Sequence, residues 1–172
     1  MTEVRRGEPG DADQLLELAN EVSAEEGRWL LAVDRGRTPG DERRYLKSVR
    51  RHPDAAVFVA VEDGTVVGRL SLSRDPHPAS RHVADLGLMV AFDHRRQGIG
   101  RMLLEHAVGW ARASGILKLE LHVFTHNDPA LRLYEAFGFE REGLRRAHYE
   151  RDGTYLDVIL MAYAVPTAPT PA

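Results

Sequence analysis

The run ADLGLMVAFDHRRQGIGRMLLEHAV (Ala84–Val108) decides the fold. Its opening, Ala84–Ala91, reads as a β-strand. From Gly98 onward, Ile99, Met102, Leu103, Ala107 and Trp110 return along one broad face, the spacing of an amphipathic helix, which stops at Ser114-Gly115. Between strand and helix lies a turn with Gly98 and Gly100 two apart and Arg95, Arg96 and Arg101 around them. The first N–H groups of a helix are unpaired and sit at the positive end of its dipole, so they suit an anionic oxygen. A glycine there admits that oxygen without a Cβ in its path. Glycines placed for close helix packing, with solvated arginines, would account for the same residues, and spacing alone does not separate the two readings.

Outward from this run, strand and helix signals alternate. Towards the N-terminus, EVRR reads as a short strand. Asp11 reads as the N-cap of a helix bearing Leu15, Leu16, Leu18, Ala19 and Val22, and a second helix covers Asp41 to Arg51. Ala55–Ser73 is a hairpin turning at Asp63-Gly64. Towards the C-terminus, Leu117–Phe124 alternates, with Leu117, Leu119, Leu121 and Val123 on one face and Lys118, Glu120, His122 and Phe124 on the other. Asn127 or Asp128 caps a further helix that starts with Pro129 and ends at Gly138. Two closing strands, around Phe139–Arg146 and Thr154–Tyr163, meet at Asp152-Gly153. This order predicts an α/β (α+β) domain over residues 1–164, with a mixed, mostly antiparallel sheet of about six or seven strands flanked by helices. Val165–Ala172 reads as a Pro/Ala-rich disordered tail.

Composition narrows the function classes. A net charge of −3 argues against general nucleic-acid binding, which needs a basic surface. The chain has no cysteine, which excludes disulfides, thiolate metal sites and a cysteine nucleophile. No apolar run approaches the ~18 residues of a membrane span, and the N-terminus lacks a signal-peptide core, so a cytoplasmic protein without membrane partners is expected. The eight histidines are scattered, and no metal site is expected.

The glycine turn fails two familiar phosphate motifs. It lacks the Gly-Lys-Ser/Thr ending of a P-loop, and Leu103 stands where a dinucleotide fingerprint needs a third small residue. Arg95-Arg96-Gln97-Gly98-Ile99-Gly100 instead resembles the acetyl-CoA motif of the GCN5-related N-acetyltransferase (GNAT) superfamily. Downstream, Asn127, Ala130, Tyr134, Gly138 and Phe139 fit that family's second signature. The segment EGLRRAHYERDGTYLDVILMA looks like the closing hairpin of its ribosomal-protein and polyamine branches. Two positions depart from common patterns: Phe92 where relatives often carry proline, and Arg96 where they often carry glycine.

The resemblance implies the acyl-CoA N-acyltransferase fold and acetyl-CoA as co-substrate. It implies a pyrophosphate cradle from Arg95 through Arg101, including Arg96, Gln97, Gly98, Ile99 and Gly100. It further implies pairing of the pantetheine arm with the backbone at Leu88, Met89 and Val90, beside a splayed strand Leu117–Phe124. Asn127 would hold the pantetheine side, and Tyr134 would direct its hydroxyl at the sulfur. The implied reaction is acetyl transfer to a primary amine by direct attack in a ternary complex. An amine is protonated near neutrality and must lose a proton first. The base is left open between His122, whose ordinary pKa near ~6.5 suits the task, Asp85 on the neighbouring strand, and water.

The acceptor, a small-molecule amine or a protein or peptide amine, is less legible. Trp29, Leu30 and Leu31 either line its cleft or simply pack, and Glu25, Glu26 and Asp34 would attract a cation. Arg43, Arg44, Lys47, Arg50 and Arg51 read as a solvated helix face. The alternative to an enzyme is a non-catalytic acyl-CoA binding or sensing module, with a dinucleotide-dependent oxidoreductase a distant third. A homodimer through the sheet edge or closing hairpin is compatible with the sequence, which does not decide it.

Overall fold

The computed structural model describes residues 1–30 and 36–167. Seven strands form one sheet in the order β1-β2-β3-β4-β5-β7-β6: β1 Thr2–Arg6, β2 Ala55–Glu62, β3 Thr65–Arg74, β4 Val83–Val90, β5 Lys118–Phe124, β6 Glu140–Arg151 and β7 Thr154–Ala164. Every junction is antiparallel except β4–β5, which is parallel. The mixed, mostly antiparallel α/β architecture expected from the sequence is therefore the one observed.

Four helices pack on the sheet: α1 Ala12–Ala24, α2 Pro39–Val49, α3 Ile99–Ala113 and α4 Asp128–Phe137. One face carries α3 and α4 over a core that includes Leu70, Leu86, Leu103, Leu119, Leu121 and Met161. The other carries α1 and α2 over Val57, Val59 and Val66 through Leu15, Leu18 and Leu46. Alternation along each strand feeds both cores.

Local signals place the turns. Asp63 and Gly64 (φ 48° and 81°), and Asp152 and Gly153 (φ 50° and 78°), occupy the left-handed region that a tight primed turn requires. Gly138 closes α4 at φ 119°. Thr38 and Asp41 form a reciprocal capping box, so α2 starts at Pro39, two residues before the expected boundary.

Three expectations shift. Asp11 precedes α1, but its side chain does not cap that helix. Its carboxylate instead accepts from the Glu8 N–H at 2.7 Å and takes both Arg5 Nη atoms at 2.8 Å. Leu117 lies before β5 and is half-exposed, because its N–H is spent on the His82 carbonyl at the sheet margin. The sixth strand runs on to Arg151, with bulges between Arg141 and Gly143 and between Arg145 and Tyr149. Such extra residues re-aim side chains, and here the second bulge brings Tyr149 to β5. Of the expected disordered tail, the last five residues lie outside the described residues, as do Leu31 and Asp34.

Candidate active site

The central feature is a split in the sheet. β4 and β5 pair only over Val83↔Lys118, Ala84↔Leu119 and Asp85↔Glu120. Beyond that point β4 continues against β3 as far as Val90, while β5 continues against β7 as far as Phe124. The two strands diverge and leave a wedge.

The ladder shows which backbone groups face that wedge. At the two ends of the β3–β4 ladder, Asp75 donates to the Val83 carbonyl and Ala91 to the Val67 carbonyl, both at 2.9 Å. Hydrogen-bonded and non-hydrogen-bonded pairs alternate in an antiparallel ladder. Gly87 and Met89 therefore spend their backbone groups on β3, and Leu86, Leu88 and Val90 turn theirs to the wedge. Of the three residues expected to meet a pantetheine arm, Leu88 and Val90 turn their backbone groups to the wedge, whereas Met89 turns its own to β3 and lends its side chain to the opposite rim.

A cavity of about 750 Å³ passes through the wedge. Leu88, Val123, Asn127, Ala130 and Tyr134 line it towards α4, and Leu16, Trp29, Arg69, Ser71 and His122 line it towards α1 and α2. Asn127 caps α4 by accepting the Ala130 N–H at 3.3 Å through Oδ1, leaving its amide N–H group as the remaining donor. Tyr134 is buried, with its ring 5.5 Å from that of Phe139. Among the described residues its hydroxyl has no hydrogen-bond partner, and burial raises its pKa well above the ordinary tyrosine range. It remains a neutral phenol at any physiological pH.

His122 also lines the cavity, with Nδ1 3.2 Å from the Tyr149 hydroxyl. Burial, then Arg145 and His148, lowers its pKa against the pull of Glu120, which keeps the ring neutral near pH 7. Asp85 lies on the same face of the sheet but outside the cavity wall. Its carboxyl reaches water along one edge, yet desolvation, then Glu120 and Asp75, raises its pKa to about 6, with Arg145 opposing.

That shift has a stability consequence. Between the ordinary value of 3.8 and about 6, the folded chain holds more proton at Asp85 than the unfolded chain does. The contribution of Asp85 to stability therefore falls as pH rises through that window. Asp85→Asn removes the decline. Thermal midpoints of variant and wild type should diverge in the variant's favour between pH 4 and pH 6; a constant difference would show that Asp85 does not titrate there.

The arginine-glycine turn stands beside the wedge and contributes no residue to the cavity wall. Gly98 takes φ 84° as the residue preceding α3, and a Cβ there would meet nothing within 4 Å, so the helix start is open to a ligand. Gly100 serves a different end: a Cβ on it would come within 2.7 Å of Leu133 Cδ2, so its lack of a side chain lets α3 and α4 approach. Arg96 adopts φ 61°, a conformation glycine would take without strain.

The three arginines part ways. Arg95 grips both Glu25 carboxylate oxygens at 2.6 and 2.7 Å and donates through Nε to the Val90 carbonyl at 2.9 Å, so its charge is met within the fold. Arg101 pairs with Glu105 at 3.1 Å. Arg96 is exposed and unpaired among the described residues. An anion at this turn would thus meet backbone N–H groups and Arg96 rather than three free cations.

Among the cavity residues that sequence reading missed, Arg37, Glu42, Arg69 and Ser71 form one polar cluster. Glu42 is fully buried between Arg37 Nε at 2.7 Å and Arg69 Nη1 at 3.0 Å. The one available signal was RLSLS, where Arg69 and Ser71 alternate with buried Leu70 and Leu72. Among the described residues no cluster of His, Asp and Glu is arranged to hold a metal, and no helix is long and apolar enough to cross a membrane.

Comparison with known proteins places this geometry. Residues 15–139 match the Acetyltransferase (GNAT) family. The chain is 35% identical over 125 residues to the L-amino acid N-acetyltransferase AaaT of Escherichia coli, covering 70% of this chain and 75% of that one. It is 34% identical over 145 residues to the N-alpha-acetyltransferase RimI of Mycobacterium tuberculosis, covering 83% and 81%. The fold superposes on yncA of Salmonella typhimurium, solved with its cofactor acetyl-CoA, at a TM-score of 0.85 and 20% identity, over 100% of this chain and 98% of that one.

Proposed function

The chain belongs to the GNAT family of acetyltransferases, and from that premise we propose that it moves the acetyl group of acetyl-CoA to a primary amine, which attacks directly while both substrates are bound. The observation that carries this reading is the wedge between β4 and β5, with the Leu88 backbone and the Val90 N–H available on one side and an unpartnered Tyr134 hydroxyl on the other. An extended amide-bearing arm fits such a strand edge, because it completes bonds that β5 leaves unmade.

Each residue then has a role its surroundings support. The N–H groups of Gln97, Gly98, Ile99, Gly100 and Arg101, with the charge of Arg96, receive the pyrophosphate. Asn127 steadies the pantetheine side. The Val90 or Leu88 N–H polarises the carbonyl that the amine attacks. Acetyl-CoA supplies an activated acyl group whose sulfur departs as a thiolate; Tyr134, kept protonated by burial, gives that thiolate its proton and regains one from the attacking nitrogen, which sheds its second proton in becoming an amide. His122, kept neutral, takes the proton from the incoming ammonium at Nε2 when Nδ1–H donates to the Tyr149 oxygen. Asp85 through a water is the rival route.

The relatives named for L-amino acids and for N-alpha acetylation support an α-amino group as the acceptor. Calorimetric titration with acetyl-CoA, CoA and NAD tests the donor assignment on wild type and Gly98→Trp. Micromolar acetyl-CoA binding that the variant loses is the expected result. Binding of NAD instead, or equal binding by the variant, would discard the reading of the turn. Acetyl-CoA binding without thiol release from any amine would point to a binding module.

A further inference from the structure

Resting on the acetyltransferase reading, we infer that Arg69 and Ser71 on β3, with Arg37, form a carboxylate subsite, so that the acceptor is a small free amino acid rather than the N-terminus of a protein.

Position is the first ground. Arg69 and Ser71 point to the α1–α2 face, and their register partners on β4 are Met89 and Gly87. They therefore stand one strand spacing, ~4.8 Å, from the strand that borders the wedge. Between Ser71 and the wedge the floor is bare, because Gly87 has no side chain and a Cβ built there meets nothing within 4 Å, while Met89 stands beside Arg69. An amine reaching the wedge over Gly87 has a group two bonds from its nitrogen lying over the Arg69–Ser71 column. In an α-amino acid that group is the carboxylate.

Charge is the second ground. Arg69 is only 15% exposed, and its Nε donates to Ser71 Oγ at 3.0 Å, which leaves the serine proton directed elsewhere. Glu42 is the sole described carboxylate in contact with either guanidinium, and it is shared between Arg37 and Arg69. Two guanidiniums against the one carboxylate they touch leave a local excess of one positive charge at this corner of the cavity. Of the acidic residues that line the cavity from α1, Asp13 is already paired with Arg43 at 2.5 Å, while Glu17 is exposed, has no ion pair among the described residues and touches neither guanidinium. A guanidinium fork with an adjacent hydroxyl matches a carboxylate in geometry as well as charge. A peptide substrate would set a neutral amide against this partly dehydrated cation, which Glu42 shares with Arg37, and forgo the charge-assisted bond a free carboxylate makes, which selects against peptides.

The test needs no variant at first. Thiol release from acetyl-CoA is followed with leucine, leucinamide, 3-methylbutylamine and Leu-Gly-Gly, and with equivalent sets built on other side chains. The expected result is a kcat/KM for the free acid ~10–100-fold above the amide, the decarboxylated amine and the peptide. Arg69→Gln should lower the free acid to the amide's value, leave the amide unchanged and spare acetyl-CoA affinity. Should that variant not fold, because it unpairs Glu42, Ser71→Ala should still cost the free acid several-fold and the amide nothing. Turnover of amide or peptide equal to or better than the free acid overturns the subsite while leaving the transferase reading intact. Failure of acetyl-CoA to bind at all overturns both, and calorimetry tells the two failures apart.

Discussion

Replacing Tyr134 by phenylalanine lowers kcat by about 100-fold or more while leaving acetyl-CoA affinity and folding stability near wild type. The ring is buried and packed on Phe139, and phenylalanine preserves both features. The only loss is a hydroxyl that bonds to no described group. Its removal leaves no buried partner unsatisfied, so stability changes little. On the proposed mechanism, what disappears is the proton for the departing thiolate. Because burial pushes the phenol's pKa upward, the wild-type hydroxyl stays protonated throughout the working range, and Tyr134 itself produces no alkaline fall in kcat below pH ~9. Thiol-release kinetics on wild type and variant, with calorimetry alongside, decide the matter. Equal kcat in the two would make Tyr134 a core anchor only.

The largest stability effect falls on Glu42. Glu42→Ala is expected to cost about 3–5 kcal/mol, because it removes the buried carboxylate that two guanidiniums share. Arg37 and Arg69 then face each other with no counter-charge among the described residues, while Tyr45 offers only its ring face, 4.6 Å from Arg37. Glu42→Leu combined with Arg69→Leu should recover most of the loss, since apolar packing replaces a buried ion pair at little net cost. Denaturant midpoints of the single and double variants report this directly. A single variant within ~1 kcal/mol of wild type would mean that water solvates the arginines. The double variant, though stable, should also lose the preference for free amino acids.

These two residues mark how far the sequence could be read. The helical place of Tyr134 was legible from chain-local patterns, a capped helix from Asn127, an apolar face at helical spacing and a left-handed stop at Gly138, while its candidacy for the site came only from the resemblance to the family's second signature. The same holds for the primed turns at Asp63-Gly64 and Asp152-Gly153, and for the helix start at Gly98. Glu42 was not legible. It sits in a strongly charged helix whose residues read as a solvated face, and only the docking of α2 beside Arg69 on β3 buries it. Arg95 was read as a cation awaiting an anion, but its partner Glu25 lies 70 positions earlier. Tyr149 meets His122 only because the bulges of β6 turn it there.

The sequence by itself determined the element order, the turns and the glycine-led start of α3, since each depends on backbone preferences and alternation over a few residues. It also carried the family signatures. Tertiary structure decided that β4 and β5 part after three pairs, that Leu88 and Val90 rather than Met89 offer their backbone to the wedge, and that Arg37, Glu42, Arg69 and Ser71 share one cavity. Strand divergence and charge burial arise from contacts between segments distant in the chain, and no local preference encodes which distant partner a strand edge or a guanidinium will meet.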